Sequence, residues 1–162
     1  MSIEGLFNDI PFVEHLGIEV TDVGDGHAEG VLPLEGKHSS NPHGLIAHGG
    51  VTYSLADTVG GAAVISRTEA VSPTVDMRMD YLAPATADLR AEADVRRLGG
   101  SVAVVDVDVH DADGHHVAAA RGVYKTGGQG EDSPWTAGSA LADVDPDDLS
   151  DVDVEDVSAE DA

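Results

Sequence analysis

The stretch His48-Gly49-Gly50-Val51-Thr52-Tyr53-Ser54-Leu55-Ala56-Asp57-Thr58-Val59-Gly60-Gly61-Ala62-Ala63-Val64-Ile65-Ser66-Arg67 decides how the rest of the chain folds. Its larger apolar residues, Val51, Leu55, Val59 and Ala62 or Ala63, recur at the spacing of one helix face. The same run holds Gly49, Gly50, Gly60 and Gly61, with Ala56, Ala62 and Ala63 between and beside them. An interior glycine costs a helix about 1 kcal/mol relative to alanine, so close backbone packing has to offset it. The pattern predicts a helix from about His48 to Arg67 that is buried on most sides.

Working outward, Phe7, Ile10, Pro11, Phe12 and Leu16 predict a short leading helix with Asp9 as its cap. Ile18-Val20 and Ala28-Leu34 read as short extended segments on either side of the turn Gly24-Asp25-Gly26. A loop through Asn41-Pro42-His43-Gly44 leads into the long helix. After it, Thr74-Leu82 alternates Val75, Met77, Met79 and Tyr81, and Leu89-Leu98 alternates less cleanly. Gly99-Gly100 supplies the next turn, and Val102-Val109 meets His116-Tyr124 across Asp113-Gly114, a two-residue hairpin signal. Connections this short exclude parallel crossovers. One helix and a meander of antiparallel strands make an α+β domain whose sheet wraps the helix.

Composition bounds the function. The chain has 162 residues, with 8 Lys plus Arg against 31 Asp plus Glu and a formal net charge of −23. Nucleic acid and anionic membranes both need clustered cations, so neither is an expected partner. No run reaches the ~18 apolar residues of a spanning helix and Met1 leads into no signal-like segment, which predicts a cytoplasmic protein. The cysteine count is zero, which removes disulfides, zinc-thiolate sites and thiol nucleophiles. Asp outnumbers Glu by 21 to 10, and Lys is confined to Lys37 and Lys125. With clear apolar periodicity before Thr126, this acidity resembles that of proteins from salt-in halophilic archaea, where counterions screen self-repulsion.

Charge also divides the chain. Residues 127–162 hold 12 acidic residues and no Lys, Arg or His, whereas the other 19 acidic residues and every cation lie before them. The expectation is a folded domain over residues 1–126 and an acidic, disordered tail over 127–162.

Several motifs carry no chemistry. Gly24-Asp25-Gly26-His27-Ala28-Glu29-Gly30 has one residue too many for a dinucleotide loop and precedes a strand. His43, His115 and His116 have no third partner at defined spacing, so they are expected at the surface and no metal site is indicated. What remains is His48-Gly49-Gly50 at a helix start, with Asp57 further along. A helix start leaves N–H groups unpaired, and glycines let another molecule approach them, which suits a carbonyl oxygen gaining charge during attack. A carboxylate in so apolar a helix needs partners or a task, unless it simply faces solvent. Gly49 and Asp57 are eight residues apart, about 12 Å along a helix, too far to serve one reacting centre. Two antiparallel helices facing each other in a symmetric dimer would bring them together.

The run from His48 to Thr58 resembles the helix motif of hotdog-fold acyl-CoA thioesterases of the phenylacetate-pathway (PaaI) type. Val75-Asp76-Met77-Arg78-Met79-Asp80-Tyr81-Leu82-Ala83-Pro84-Ala85 is similar to that family's next strand and closing turn. The resemblance covers roughly residues 5–126. It implies a hotdog fold, an antiparallel sheet wrapped around one long central helix. It also implies homodimers often paired into homotetramers, and thioester hydrolysis with no metal or other cofactor. By the same resemblance Asp57 is the general base or nucleophile, Gly49 the oxyanion donor, His48 the residue that sets the helix start, and Asn41 the loop asparagine. Gly50 would lie against the substrate, and Thr74 would supply a water-binding hydroxyl. Asn41 stands seven residues before His48, one more than that family's usual spacing, and it could equally cap its own loop.

Three functions compete on such a fold. The first is hydrolysis of an acyl-CoA thioester, with Arg67, Arg78, Arg96 and Arg97 as partners for its phosphates. The second is a non-catalytic acyl-CoA-binding or regulatory module, which has no need of Asp57. The third is hotdog hydratase chemistry, which lacks this Asp spacing. Fold alone does not separate them.

Overall fold

A computed structural model describes residues 2–127. The acidic stretch expected to form a tail falls, but for Gly127, outside them. Among the described residues no helix is long and apolar enough to cross a membrane.

The leading segment forms two helices rather than one, α1 (Ile3–Asn8) and α2 (Pro11–Leu16). Ser2 caps α1, its hydroxyl accepting from Gly5 N at 3.1 Å, while Asp9 closes that helix instead of starting the next. Pro11 is the reason for the break. Lacking an N–H and disfavouring helical backbone before it, it belongs in a first turn and restarts the chain as α2.

Six strands follow the expected segments: β1 (Glu19–Gly24), β2 (His27–Leu32), β3 (Thr74–Tyr81), β4 (Leu89–Leu98), β5 (Val102–Asp111) and β6 (His116–Lys125). The helix α3 spans Gly49–Thr68 without interruption. Asp25-Gly26 makes the β1–β2 hairpin, with φ of 51° and 85° matching the left-handed pair that a tight turn of twisted strands requires. The Asp113-Gly114 hairpin is longer than two residues. The buried Asp111 carboxylate organises its loop, accepting from Asp113 N at 3.0 Å, His115 N at 2.9 Å and His115 Nδ1 at 3.0 Å. His43, His115 and His116 are exposed as expected.

Every strand pairing is antiparallel, but the strands are not a simple meander. Their order is β1-β2-β4-β5-β6-β3. After α3 the chain lays β3 on the far edge beside β6, then crosses back to start β4 beside β2. This edge position explains a departure from the alternation of β3. Met77 is buried, whereas Val75 and Tyr81 are 61% and 55% exposed.

The sheet curls around α3, whose buried side runs through Leu55, Ala56, Val59, Gly60, Ala63 and Val64. Facing it are small side chains: Ala28 on β2, Ala91 and Ala93 on β4, Ala103, Val105 and Val107 on β5, and Ala118 on β6. At Gly30 the approach is closest, since a Cβ there would stand 2.7 Å from Val59 Cγ2. The outer face of the sheet is charged and internally paired: His27 with Asp94 at 3.0 Å, Arg90 with Glu29 at 2.6 Å, and Arg121 with Asp106 at 2.7 Å.

Candidate active site

The N-terminus of α3 is built by the loop before it. Ser39 Oγ accepts from the N–H groups of Asn41 and Ile46, each at 3.1 Å, and lies 2.7 Å from Gly44 O as donor. The buried His38 accepts from Glu35 N through Nδ1 at 3.0 Å, and its carbonyl accepts from His48 N at 2.8 Å. His48 is thereby held as N-cap, with extended backbone. Its Nδ1 accepts from Gly50 N at 3.0 Å, while His48 O accepts from Val51 N at 2.9 Å and from Thr52 N at 3.4 Å. With His48 N on His38 O, Gly50 N on His48 Nδ1 and Val51 N on His48 O, three of the four donors that a helix start exposes are met, while Thr52 N makes the first bond of the helical ladder. Gly49 N–H is the fourth, and it meets no acceptor among the described residues. The helix start thus offers one polarised donor, at Gly49. Gly50 contributes small size rather than a free N–H.

Tyr81 borders this donor. Its hydroxyl donates to Gly49 O at 2.7 Å, and its ring atoms would stand 3.2 Å from a Cβ on Gly49. Burial raises the Tyr81 phenol above its ordinary value.

Asp57 lies two turns further along α3 and is half-buried. Its carboxylate is not a solvated surface group. Thr74 Oγ1, at the start of β3, donates to Asp57 Oδ1 at 2.8 Å, and Tyr124 OH on β6 reaches the same oxygen at 3.2 Å. Tyr124 OH is also 3.0 Å from Asp57 O. Burial pushes the Tyr124 phenol well above its ordinary value, and the adjacent Asp57 charge and hydrogen bond act in the same direction. Tyr53, on the next turn toward the helix start, donates to Met77 O at 3.2 Å. Its phenol is raised by burial, then by the charges of Asp57 and Asp76.

The structure therefore joins Thr74 to Asp57, and His48 to Gly49 and Gly50. Asn41 joins neither group. Its Oδ1 accepts from His43 N at 2.9 Å and its Nδ2 lies against Gly44, so its side chain folds its own turn. Because α3 is one continuous helix, Gly49 and Asp57 of a single chain stay about 12 Å apart. Sequence reasoning missed Tyr124 and Tyr81. A signal for Tyr124 exists: it is a large polar aromatic at an inward position of a strand otherwise filled by Val and Ala, with Gly122 two residues before it.

A glycine- and alanine-rich helix wrapped by an antiparallel sheet, with an open donor at its start and an anchored carboxylate two turns on, defines a hotdog-fold thioesterase. The chain belongs to the thioesterase superfamily, whose family model matches residues 45–118. A Halobacterium salinarum protein whose name proposes an esterase is 34% identical over 134 residues, covering 76% of this chain and 89% of that protein. The medium/long-chain acyl-CoA thioesterase YigI of Salmonella typhimurium is 28% identical, over 73% of this chain and 86% of YigI. Among solved structures, a mutant of the phenylacetic acid degradation protein PaaI from Thermus thermophilus is 32% identical. It covers 71% of this chain and 97% of its own, with a TM-score of 0.65.

Proposed function

We propose that the protein hydrolyses acyl-CoA thioesters at sites shared between two copies of the chain. Asp57 takes a proton from water, the resulting hydroxide attacks the thioester carbonyl carbon, and Gly49 N–H receives the charge that develops on oxygen. The C–S bond then breaks, Asp57 returns its proton to the departing thiolate, and the free acid and CoA leave. The observation that carries this reading is Asp57, a half-buried carboxylate in an apolar helix segment with two hydroxyl partners on one of its oxygens. A binding module gains nothing from that arrangement. The likeness to YigI supports the acyl-CoA class.

The 12 Å separation within one helix requires the Gly49 donor of one copy to face Asp57 of another. Edge strand β3, with exposed Val75 and Tyr81 beside the site, is the surface a second copy would use. His48 caps the helix, Thr74 orients Asp57, and Gly50 keeps the approach open, while Asn41 serves its loop. Arg78 is held by Asp80 at 3.0 Å and Arg96 by Asp106 at 3.2 Å. Arg67 and Arg97, which carry no ion pair among the described residues, are the better partners for CoA phosphates. Molar salt suits so acidic a chain and screens its repulsion from an anionic substrate.

The test is Asp57→Asn, assayed by thiol release over a panel of acyl-CoAs at molar salt. We expect kcat to fall by about 10²- to 10⁴-fold with KM little changed, because the carbonyl still meets Gly49. Turnover within about threefold of the parent would remove Asp57 from the chemistry, since a working general base contributes far more.

A further inference from the structure

Two glycines from different elements leave open the space that Tyr124 fills. A Cβ on Gly60 of α3 would collide with the Tyr124 hydroxyl. One on Gly122 of β6 would stand 2.7 Å from Tyr124 Cε2. Glycine is unfavourable in both a helix and a strand interior, so this slot is a cost that the tyrosine must offset. The ring is 1% exposed, and its only polar atom emerges at the Asp57 end of the slot.

There the hydroxyl meets one residue twice, at Asp57 O (3.0 Å) and Asp57 Oδ1 (3.2 Å). A phenol has a single proton to share, so these two contacts tie the side-chain rotamer of Asp57 to its own main chain. Thr74, the register partner of Tyr124 on the neighbouring strand β3, adds its bond to the same Oδ1. Asp57 Oδ2 has no partner among the described residues. The raised Tyr124 phenol keeps its proton, and so stays a donor, throughout the neutral range.

We propose that Tyr124 is a positioning residue for the catalytic carboxylate: together with Thr74 it anchors Oδ1, and so presents Oδ2 to the water that attacks. The proposal rests on the reading of Asp57 as the base. A tyrosine that merely fills the core would be replaced by phenylalanine without kinetic consequence, because the two rings occupy the same volume.

The experiment is a cycle of Tyr124→Phe, Asp57→Asn and the double variant, on the full chain, with thiol release measured at molar salt and folding followed by thermal melting. We expect Tyr124→Phe to lower kcat about tenfold, with KM within about twofold, since a loosened base is a misplaced base. In the Asp57→Asn background the same substitution should change the residual turnover by less than about twofold, because nothing is left to position. If Asp57→Asn is inactive while Tyr124→Phe keeps parental kcat, the positioning role falls and the base survives. An equal loss in both backgrounds overturns it as well, by assigning the hydroxyl to packing alone. Parental turnover of Asp57→Asn overturns both readings at once. Should Tyr124→Phe fail to fold, Thr74→Val removes the other Oδ1 donor at an exposed strand position. Its expected result is a kcat loss that vanishes with Asp57→Asn, and parental kcat there would sink the anchored-Oδ1 arrangement.

Discussion

Arg121 grips Asp106 on the outer face of the sheet, with Nε 2.7 Å from one carboxylate oxygen and Nη2 3.0 Å from the other. Arg96 approaches the second oxygen at 3.2 Å. The Arg121 hydrogen bonds hold the Asp106 carboxyl below its ordinary range; burial opposes them, and the charges of Arg121 and Arg96 reinforce them. A carboxylate lowered in the folded state favours folding fully above its unfolded value, and that contribution is lost as pH falls through the lowered one. The melting-temperature gap between the parent and Asp106→Asn should therefore be constant above about pH 5 and close as pH falls below about 4. It should also narrow as salt rises, since the group is partly exposed. A gap that persists unchanged to pH 3 would contradict the assignment. Read at this scale, Asp57 was legible because a lone carboxylate among Ala and Gly is conspicuous in any sequence. Its partners were not, because Tyr124 lies 67 residues away and no local pattern connects the two.

Among the elements, α3 and β2 define how closely helix and sheet can approach. Gly30 faces Val59 across that contact, and an added Cβ would meet Val59 Cγ2 at 2.7 Å and the main-chain Glu19 O at 3.0 Å. The neighbour on the β1 side is backbone and cannot swing aside. Gly30→Ala is expected to destabilise the fold by about 1–3 kcal/mol, the usual cost of overpacking a core. Combined with Val59→Ala, which clears one of the two obstacles, the added cost should be smaller than in the parent. Equilibrium denaturation of the four chains tests this, and strictly additive losses would mean that the two sites do not touch. The position and length of α3 were readable because helical periodicity is a local property. The split of the leading segment at Pro11 is harder to read, because the apolar spacing runs through the break and predicts one helix.

At the level of the whole molecule, the composite site we propose makes a prediction that no single-chain site shares. Asp57→Asn and Gly49→Val chains, refolded together, would form heterodimers in which one site carries both lesions and the other carries neither. Two individually inactive proteins should then recover about a quarter of parental activity, given random pairing and half-active heterodimers. Verified heterodimers without activity would mean that each site is built within one chain.

What the sequence determined alone is what depends on neighbours along the chain. It set the buried helix from about His48 to Arg67, the turn at Gly24-Asp25-Gly26, the antiparallel strands, and the candidate chemistry of Gly49 and Asp57. Periodicity states which face of a segment is buried, and turn residues state where it reverses. Neither states which strand will lie beside which. The order β1-β2-β4-β5-β6-β3 was decided by tertiary packing, as the sheet wrapped the helix and β3 closed against β6. That one placement brings Thr74 to Asp57 from one strand and Tyr124 from the next. Loop packing likewise turned Asn41 back onto His43. The carboxylate was written in the chain, but the geometry that aims it came from contacts between segments far apart in sequence, whose energies no local pattern contains.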